Sequence, residues 1–176
     1  MVSVSATASD NDAVAGVQFT LDSINIGTED TVSPYFTTWD STTISDGTHT
    51  LSAVARDTAG NTRTASITVT IDNTAPVRSA GSPSSTLASG TTAATLSLTT
   101  NEAATCKYST NSGTVFSSMT DLTTTGGTNH SAGLTGLSNG NYTYHVKCED
   151  GQGNVNATNY DISFSVATDI TPVVSM

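Results

Sequence analysis

The sequence predicts an all-β chain made of two tandem antiparallel β-sandwiches, and three observations predict it. First, Gly47 to Asn61 reads as an alternating strand, with Leu51, Ala53 and Ala55 on one face, that runs into a turn on Asp57, Gly60 and Asn61. The same pattern returns at Gly140 to Asn154, where the turn residues recur as Asp150, Gly153 and Asn154. Second, short alternating runs separated by turn residues fill the rest of the chain, the spacing of a sandwich rather than of a helical or α/β protein. Third, Ser and Thr dominate the composition and no long run of helix-forming Leu, Glu and Lys occurs. Two copies of one supersecondary unit divide the 176 residues into modules at 1–72 and 73–168, with 169–176 as a linker or the first strand of a following module.

The elements follow in order. Val2, Val4, Ala6 and Ala8 alternate with polar residues, and Val17, Phe19 and Leu21 do the same after the loop at Ser9–Ala13. A short strand around Ile24 to Ile26 is expected to stop at Gly27, and Pro34 to Trp39 forms the next, with proline at its start. The strand from Gly47 and its partner Ala65 to Ile71 complete the first module. In the second, Ser79 to Gly90 is expected to form an extended edge strand interrupted by Pro83. Core strands follow at Thr95–Thr99, Thr105–Ser109, His130–Leu137, Tyr142–Cys148 and Tyr160–Val166. The second module has about 20 residues between linker and first core strand, whereas the first begins directly on that strand, so its first edge strand is expected to be missing. The chain also repeats its linker: Asp169-Ile-Thr-Pro-Val-Val-Ser175 echoes Asp72-Asn-Thr-Ala-Pro-Val-Arg-Ser79.

Charge narrows the function. Five Lys and Arg stand against 15 Asp and Glu, a net charge of −10 that repels phosphate backbones and anionic lipid, which excludes nucleic-acid binding. No apolar run approaches the ~18 residues a membrane span needs, so membrane insertion is not expected. Met1 leads straight into Val2-Ser-Val-Ser, with no charged n-region or apolar block, so an export signal is expected upstream.

The first module resembles the bacterial Ig-like domains through Gly16-Val-Gln-Phe-Thr-Leu-Asp22, Pro34-Tyr, Trp39-Asp, Gly47-Thr-His-Thr-Leu and Ala55-Arg-Asp-Thr-Ala-Gly-Asn61. The second is similar to bacterial fibronectin type III-like domains through Ala104-Thr-Cys-Lys-Tyr-Ser, Leu137-Ser-Asn-Gly-Asn-Tyr and Val146-Lys-Cys-Glu-Asp. The resemblance implies tandem sandwiches on a secreted or surface-exposed protein, and it is specific for fold but weak for activity.

In such a sandwich Cys106 and Cys148 lie on neighbouring strands, and a disulfide is expected rather than a metal pair, because His145 alone does not complete a zinc-like spacing. A disulfide implies an oxidising compartment. His49 aligns with Tyr142, near the corner where sandwiches set a tyrosine against the backbone, and reads as structural; His130 and His145 read as surface residues. Acidic loops could gather oxygen ligands for Ca²⁺ at the module junction (Asp72, Asn73, Asn101, Glu102, Asp150, Asn154) and on the first module (Asp10, Asp12, Asp57). The competing reading makes Asp57, Gly60, Asn61, Asp150, Gly153 and Asn154 simple turn formers. Tyr35, Phe36 and Trp39 read as core before they read as a sugar platform. Asn129, Asn141 and Asn156 head glycosylation sequons that are frequent by chance in so Asn- and Thr-rich a chain.

No catalytic constellation is visible in the sequence, so the expectation is a non-enzymatic, extracellular spacer whose partners are neighbouring modules or copies of itself. The tail Thr171, Pro172, Val173, Val174 and Ser175 is the expected strand donor for head-to-tail assembly. The alternative is a carbohydrate- or protein-binding adhesion module accessory to a secreted enzyme, with Trp39 and Tyr35 as its candidate contacts.

Overall fold

The structure is a computed structural model, and residues 1–168 are described. The expected linker or strand at 169–176, including Thr171 to Ser175, lies outside the described residues. The chain divides into two compact units, the first Met1–Asn73 and the second starting at Thr74.

Unit 1 holds six strands: β1 (Val2–Ala6), β2 (Val14–Leu21), β3 (Ile24–Asp30), β4 (Tyr35–Trp39), β5 (Gly47–Asp57) and β6 (Thr62–Ile71). One sheet runs β3-β2-β5-β6 and the other is the pair β1-β4, all antiparallel. Strand β2 explains why they close on each other: Val17, Phe19 and Leu21 fall on one face and are buried with Ile26, Tyr35, Leu51 and Ile71, while Val4 and Ala6 pack against them from β1. Gly27 does not end β3 as expected. It takes a left-handed φ of +65°, where the pairing with β2 shifts register, and the strand continues to Asp30. The β2–β3 hairpin turns on Asp22 and Ser23, both at positive φ (47° and 71°), the geometry of a two-residue hairpin that follows the twist of its strands.

Unit 2 holds β7 (Arg78–Ser82), β8 (Thr86–Leu87), β9 (Ala93–Thr100), β10 (Ala104–Ser109), β11 (Thr120–Asp121), β12 (Asn129–Thr135), β13 (Gly140–Asp150) and β14 (Tyr160–Val166). Its sheets run β11-β10-β13-β14-β8 and β12-β9-β7. All pairs are antiparallel except the short β8–β14 ladder. Leu96, Leu98, Leu134, Val146, Ile162 and Phe164 fill the space between the sheets. Tyr142 and Tyr144 stack on Phe164 with ring centroids 5.2 and 6.0 Å away. The predicted Ser79–Gly90 edge is two separate pieces, β7 on one sheet and β8 on the other, so one segment closes both sheets.

Strands β1 to β6 of unit 1 correspond in order and pairing to β9 to β14 of unit 2. The matching hairpins are the same in detail. Asp57 N–H donates to Asn61 O and Gly60 N–H to Asp57 O, as Asp150 N–H donates to Asn154 O and Gly153 N–H to Asp150 O. Gly60 and Gly153 sit at φ +91° and +89°, a conformation that costs glycine little and other residues more.

Candidate functional site

The site begins with one residue position seen twice. Ile67 on β6 faces Leu51 on β5, Ile162 on β14 faces Tyr144 on β13, and both isoleucines stand four residues before their strand's last member. Ile162 is 3% exposed and Ile67 is 62% exposed. An isoleucine left in water forgoes roughly 1.5–3 kcal/mol of the burial its side chain could supply.

Unit 2 covers its isoleucine with β7, which is anchored by the segment that leads into it. Pro76 is fully buried, and its carbonyl accepts from Asn156 Nδ2 at 2.8 Å. Val77 N–H donates to Asn101 Oδ1 at 2.6 Å, and its carbonyl accepts from Asn101 N–H at 3.2 Å. Arg78 Nη1 donates to the carbonyls of Val146 and Thr158, both at 2.8 Å, and burial lowers the pKa of its guanidinium. Gly81 then lies so close over Tyr160 and Ile162 that an added Cβ would stand 2.8 Å and 2.9 Å from their side chains. Its N–H donates to the Tyr160 hydroxyl at 3.1 Å.

Unit 1 has a groove over the neighbouring stretch of β5 and β6, on the hairpin side of Ile67. It measures about 400 Å³ and is lined by small apolar residues, Ala6, Ala8, Val17, Ala53, Ala55 and Ala65, with Asp57, Asn61 and Arg63 among the polar residues around it. By strand pairing, Ala53 stands where unit 2 has Val146 and Ala55 where it has Cys148. Among the described residues, β1 pairs only with β4 and β6 only with β5, so each has one unpaired edge. Their counterparts β9 and β14 carry β7 and β8 on those edges. Unpaired backbone N–H and C=O groups beside an exposed isoleucine make a template for an added strand.

The model for a bacterial Ig domain matches residues 1–53, and that for a bacterial Ig-like domain of group 3 matches residues 33–89. Unit 1 is a bacterial Ig-like domain. No curated protein matches the chain by sequence. Among solved structures, the fibronectin(III)-like modules of Clostridium thermocellum CbhA are similar at 17% identity and a TM-score of 0.46, covering 94% of this chain and 85% of that one. The human desmocollin-1 ectodomain is similar at 15% identity and a TM-score of 0.34, with 92% of this chain and 32% of that one covered. Bacteroides ovatus SGBP-B, in complex with a mixed-linkage heptasaccharide, follows at 14% and 0.28, with 93% and 40% covered. At these values the likenesses lend no weight to a function.

The other residues singled out from the sequence are placed as follows. Cys106 and Cys148 face each other directly across β10 and β13, with Cα atoms 4.1 Å apart, and their sulfurs are bonded. The Ig-like domain has Val17 opposite Ala55 at the matching position. Asp57 Oδ1 accepts from Asn61 N–H at 2.8 Å and Oδ2 from Asn61 Nδ2 at 2.7 Å, and these bonds hold its carboxyl below the usual carboxylate range. Asp150 is bound to Asn154 in the same way and also accepts from Gln152 N–H at 2.8 Å. Asp10 Oδ1 accepts from Asp12 N–H, and Asp12 lies 3.4 Å from the Thr58 hydroxyl. Asn73 N–H donates to Asp46, and its amide donates to the Ser41 and Ile44 carbonyls, closing the C-terminal end of the Ig-like domain. Asp72 follows directly on β6, and Glu102 lies between β9 and β10, its carbonyl accepting from the Thr100 hydroxyl at 2.6 Å.

His130 is not on the surface. It alternates inward with Ala132 and Leu134 on β12, is 2% exposed, and has Thr100 Oγ1 at 2.8 Å and Thr125 Oγ1 at 3.1 Å on its two ring nitrogens. Burial pushes its imidazole down, toward the neutral form. His145 does face outward, half-buried, with Nδ1 2.6 Å from Asp161. Tyr142 makes the corner expected of it: its hydroxyl donates to Ser138 O and accepts from Ser138 N–H, each at 2.8 Å. Of the three aromatics on β4, Tyr35 is core and Trp39 half-buried against the core, but Phe36 points to solvent at 58% exposure, as a strand's alternation requires. Asn156 is buried and bonded to Pro76 and Cys148, which leaves its amide closed to a glycan.

Proposed function

We propose that the chain is a non-catalytic structural module of an extracellular surface or filament-forming protein, whose copies join head to tail by adding a strand to the Ig-like unit. The observation that carries this reading is the contrast between Ile67 and Ile162: one sandwich is closed over its isoleucine, and the other has an open edge there with a groove beside it. The cross-strand disulfide supports an oxidising, extracellular setting. The turn aspartates Asp57 and Asp150 and the corner residue Tyr142 are engaged in holding backbone, which supports a role in shape rather than turnover. Electron microscopy of the purified chain across a concentration series tests it. Linear end-to-end polymers are expected, and single particles at every concentration would contradict it.

The binding reading has one observation behind it. A second groove of the Ig-like unit, about 530 Å³, has Trp39 on its wall together with Asp22, Asp40 and His49. An aromatic face beside carboxylates suits a glycan. Retention on a glycan array that Trp39→Ala removes would favour this role, and an array without retention would end it. Calcium is carried as a proposal as well. In both hairpins the aspartate oxygens already accept from turn N–H groups, so an ion there would have to share them.

A further inference from the structure

We infer that the groove of the Ig-like unit is the seat for residues Thr171–Ser175 of a second copy, held in the register in which Thr74–Ser79 enters unit 2. This rests on the head-to-tail reading above and names its two contacting parts.

Three observations lead to it. The tail reproduces the leading segment one residue shorter, with Pro172 for Pro76, Val173 for Val77 and Ser175 for Ser79. In unit 2 that proline is the fully buried anchor of the seat and that valine bonds to it through its backbone. The remaining position differs in the sense the groove requires. Unit 2 places Arg78 there, and its guanidinium reaches across to the carbonyls of Val146 and Thr158. The tail places Val174 there, and the groove offers Ala53 and Ala65 at the positions of Val146 and of Tyr160, the ring over which Arg78 lies. An aliphatic side chain over alanines gains burial where an arginine would bring a charge. A strand seated in this way would pair with the free edge of β1 as β7 pairs with β9, and would bring Met176, at the place of Ala80, toward Ile67.

Polarity favours a second copy over the chain's own groove. In the Ig-like unit the groove lies at the Asp57–Asn61 hairpin, the end of β6 away from Ile71, where the chain leaves the unit. In unit 2 the chain leaves from Val166, opposite Gly140, the end of β13 away from the Asp150–Asn154 hairpin. Unit 2 thus receives its leading segment at the hairpin end and releases the chain at the other, and the groove of unit 1 lies at its own hairpin end.

The test uses a chain ending at residue 168, which keeps every described member of both cores, and a synthetic peptide of residues 169–176. Calorimetric titration should show one peptide bound per chain. A peptide carrying Val174→Asp should bind at least tenfold more weakly, and a scrambled peptide should not bind. These changes sit in the peptide and cannot unfold the acceptor. Absence of binding, or equal binding by the Val174→Asp peptide, overturns the proposal. Should the full chain polymerise while the truncated chain ignores the peptide, head-to-tail assembly stands and this seat falls. A full chain that stays monomeric and refuses peptide, while the truncated chain accepts it, would place the tail in its own groove and overturn the second-copy claim.

Discussion

His49 Nδ1 lies 2.6 Å from Asp22 Oδ2, and the other ring nitrogen of His49 lies 3.0 Å from the carbonyl oxygen of Ser45. Both partners are pure acceptors, so the geometry is satisfied only by an imidazolium donating from both nitrogens. Ser45 stands four residues before His49 as Ser138 stands four before Tyr142, so the histidine makes in unit 1 the corner bond that the tyrosine makes in unit 2. Asp22 meanwhile accepts from Thr50 N–H at 2.8 Å, pinning a hairpin turn to β5.

This arrangement gives unit 1 a pH dependence whose sign follows from linkage. The hydrogen bond to Asp22, with that to Ser45, raises the pKa of His49 above its ordinary 6.5. Its contribution is therefore complete below pH 6.5 and is lost as pH rises through the raised value. Bonds from Thr50 and His49 lower Asp22 from 3.8, so its contribution is complete above that pH and is lost as pH falls through the lowered value. Unit 1 should be most stable between those limits. A His49→Gln variant should lose the decline on the alkaline side, and parallel denaturation midpoints for the two proteins across pH 5 to 9 would refute the assignment.

Removing the disulfide should cost unit 2 alone. The bridge spans a sequence separation of 42 residues, which in the chain-entropy model corresponds to about 4 kcal/mol. The Cys106→Ala, Cys148→Ala double variant should lower the unfolding midpoint of unit 2 in denaturant and leave that of unit 1 in place, and thiol titration of the native protein should find no reactive thiol.

The β2–β3 turn holds Ser23 at φ 71°, where an L residue is strained and glycine is not. Ser23→Gly should stabilise unit 1 by about 0.5–1 kcal/mol, net of the entropy glycine adds to the unfolded chain. A lower midpoint in urea would contradict it.

Tyr142→Phe removes the hydroxyl that both donates to and accepts from Ser138. The loss should be about 1–2 kcal/mol, read from the unit 2 transition in denaturant.

The strands, the paired hairpins and the neighbouring cysteines were legible because each rests on local chemistry: alternation of Val17, Phe19 and Leu21, or Asp and Gly spacing in a turn. His130 was misread because its Gly- and Thr-rich surroundings suggested a loop, although its alternation with Ala132 and Leu134 carried the signal for an inward position. Gly27 looked like a strand end because a register shift and a stop share the same residue. The extra leading segment of unit 2 was visible as about 20 residues between the linker and its first core strand. The groove was not, since its lining comes from β1, β2, β5 and β6, and no sequence window contains all four.

Amide hydrogen exchange in the chain ending at residue 168 tests the central claim, that unit 1 is open where unit 2 is closed, most directly. The account predicts that β1 and the outer edge of β6 exchange much faster than their counterparts β9 and β14, and that adding the 169–176 peptide slows β1. Equal protection of β1 and β9 in the truncated chain would contradict it.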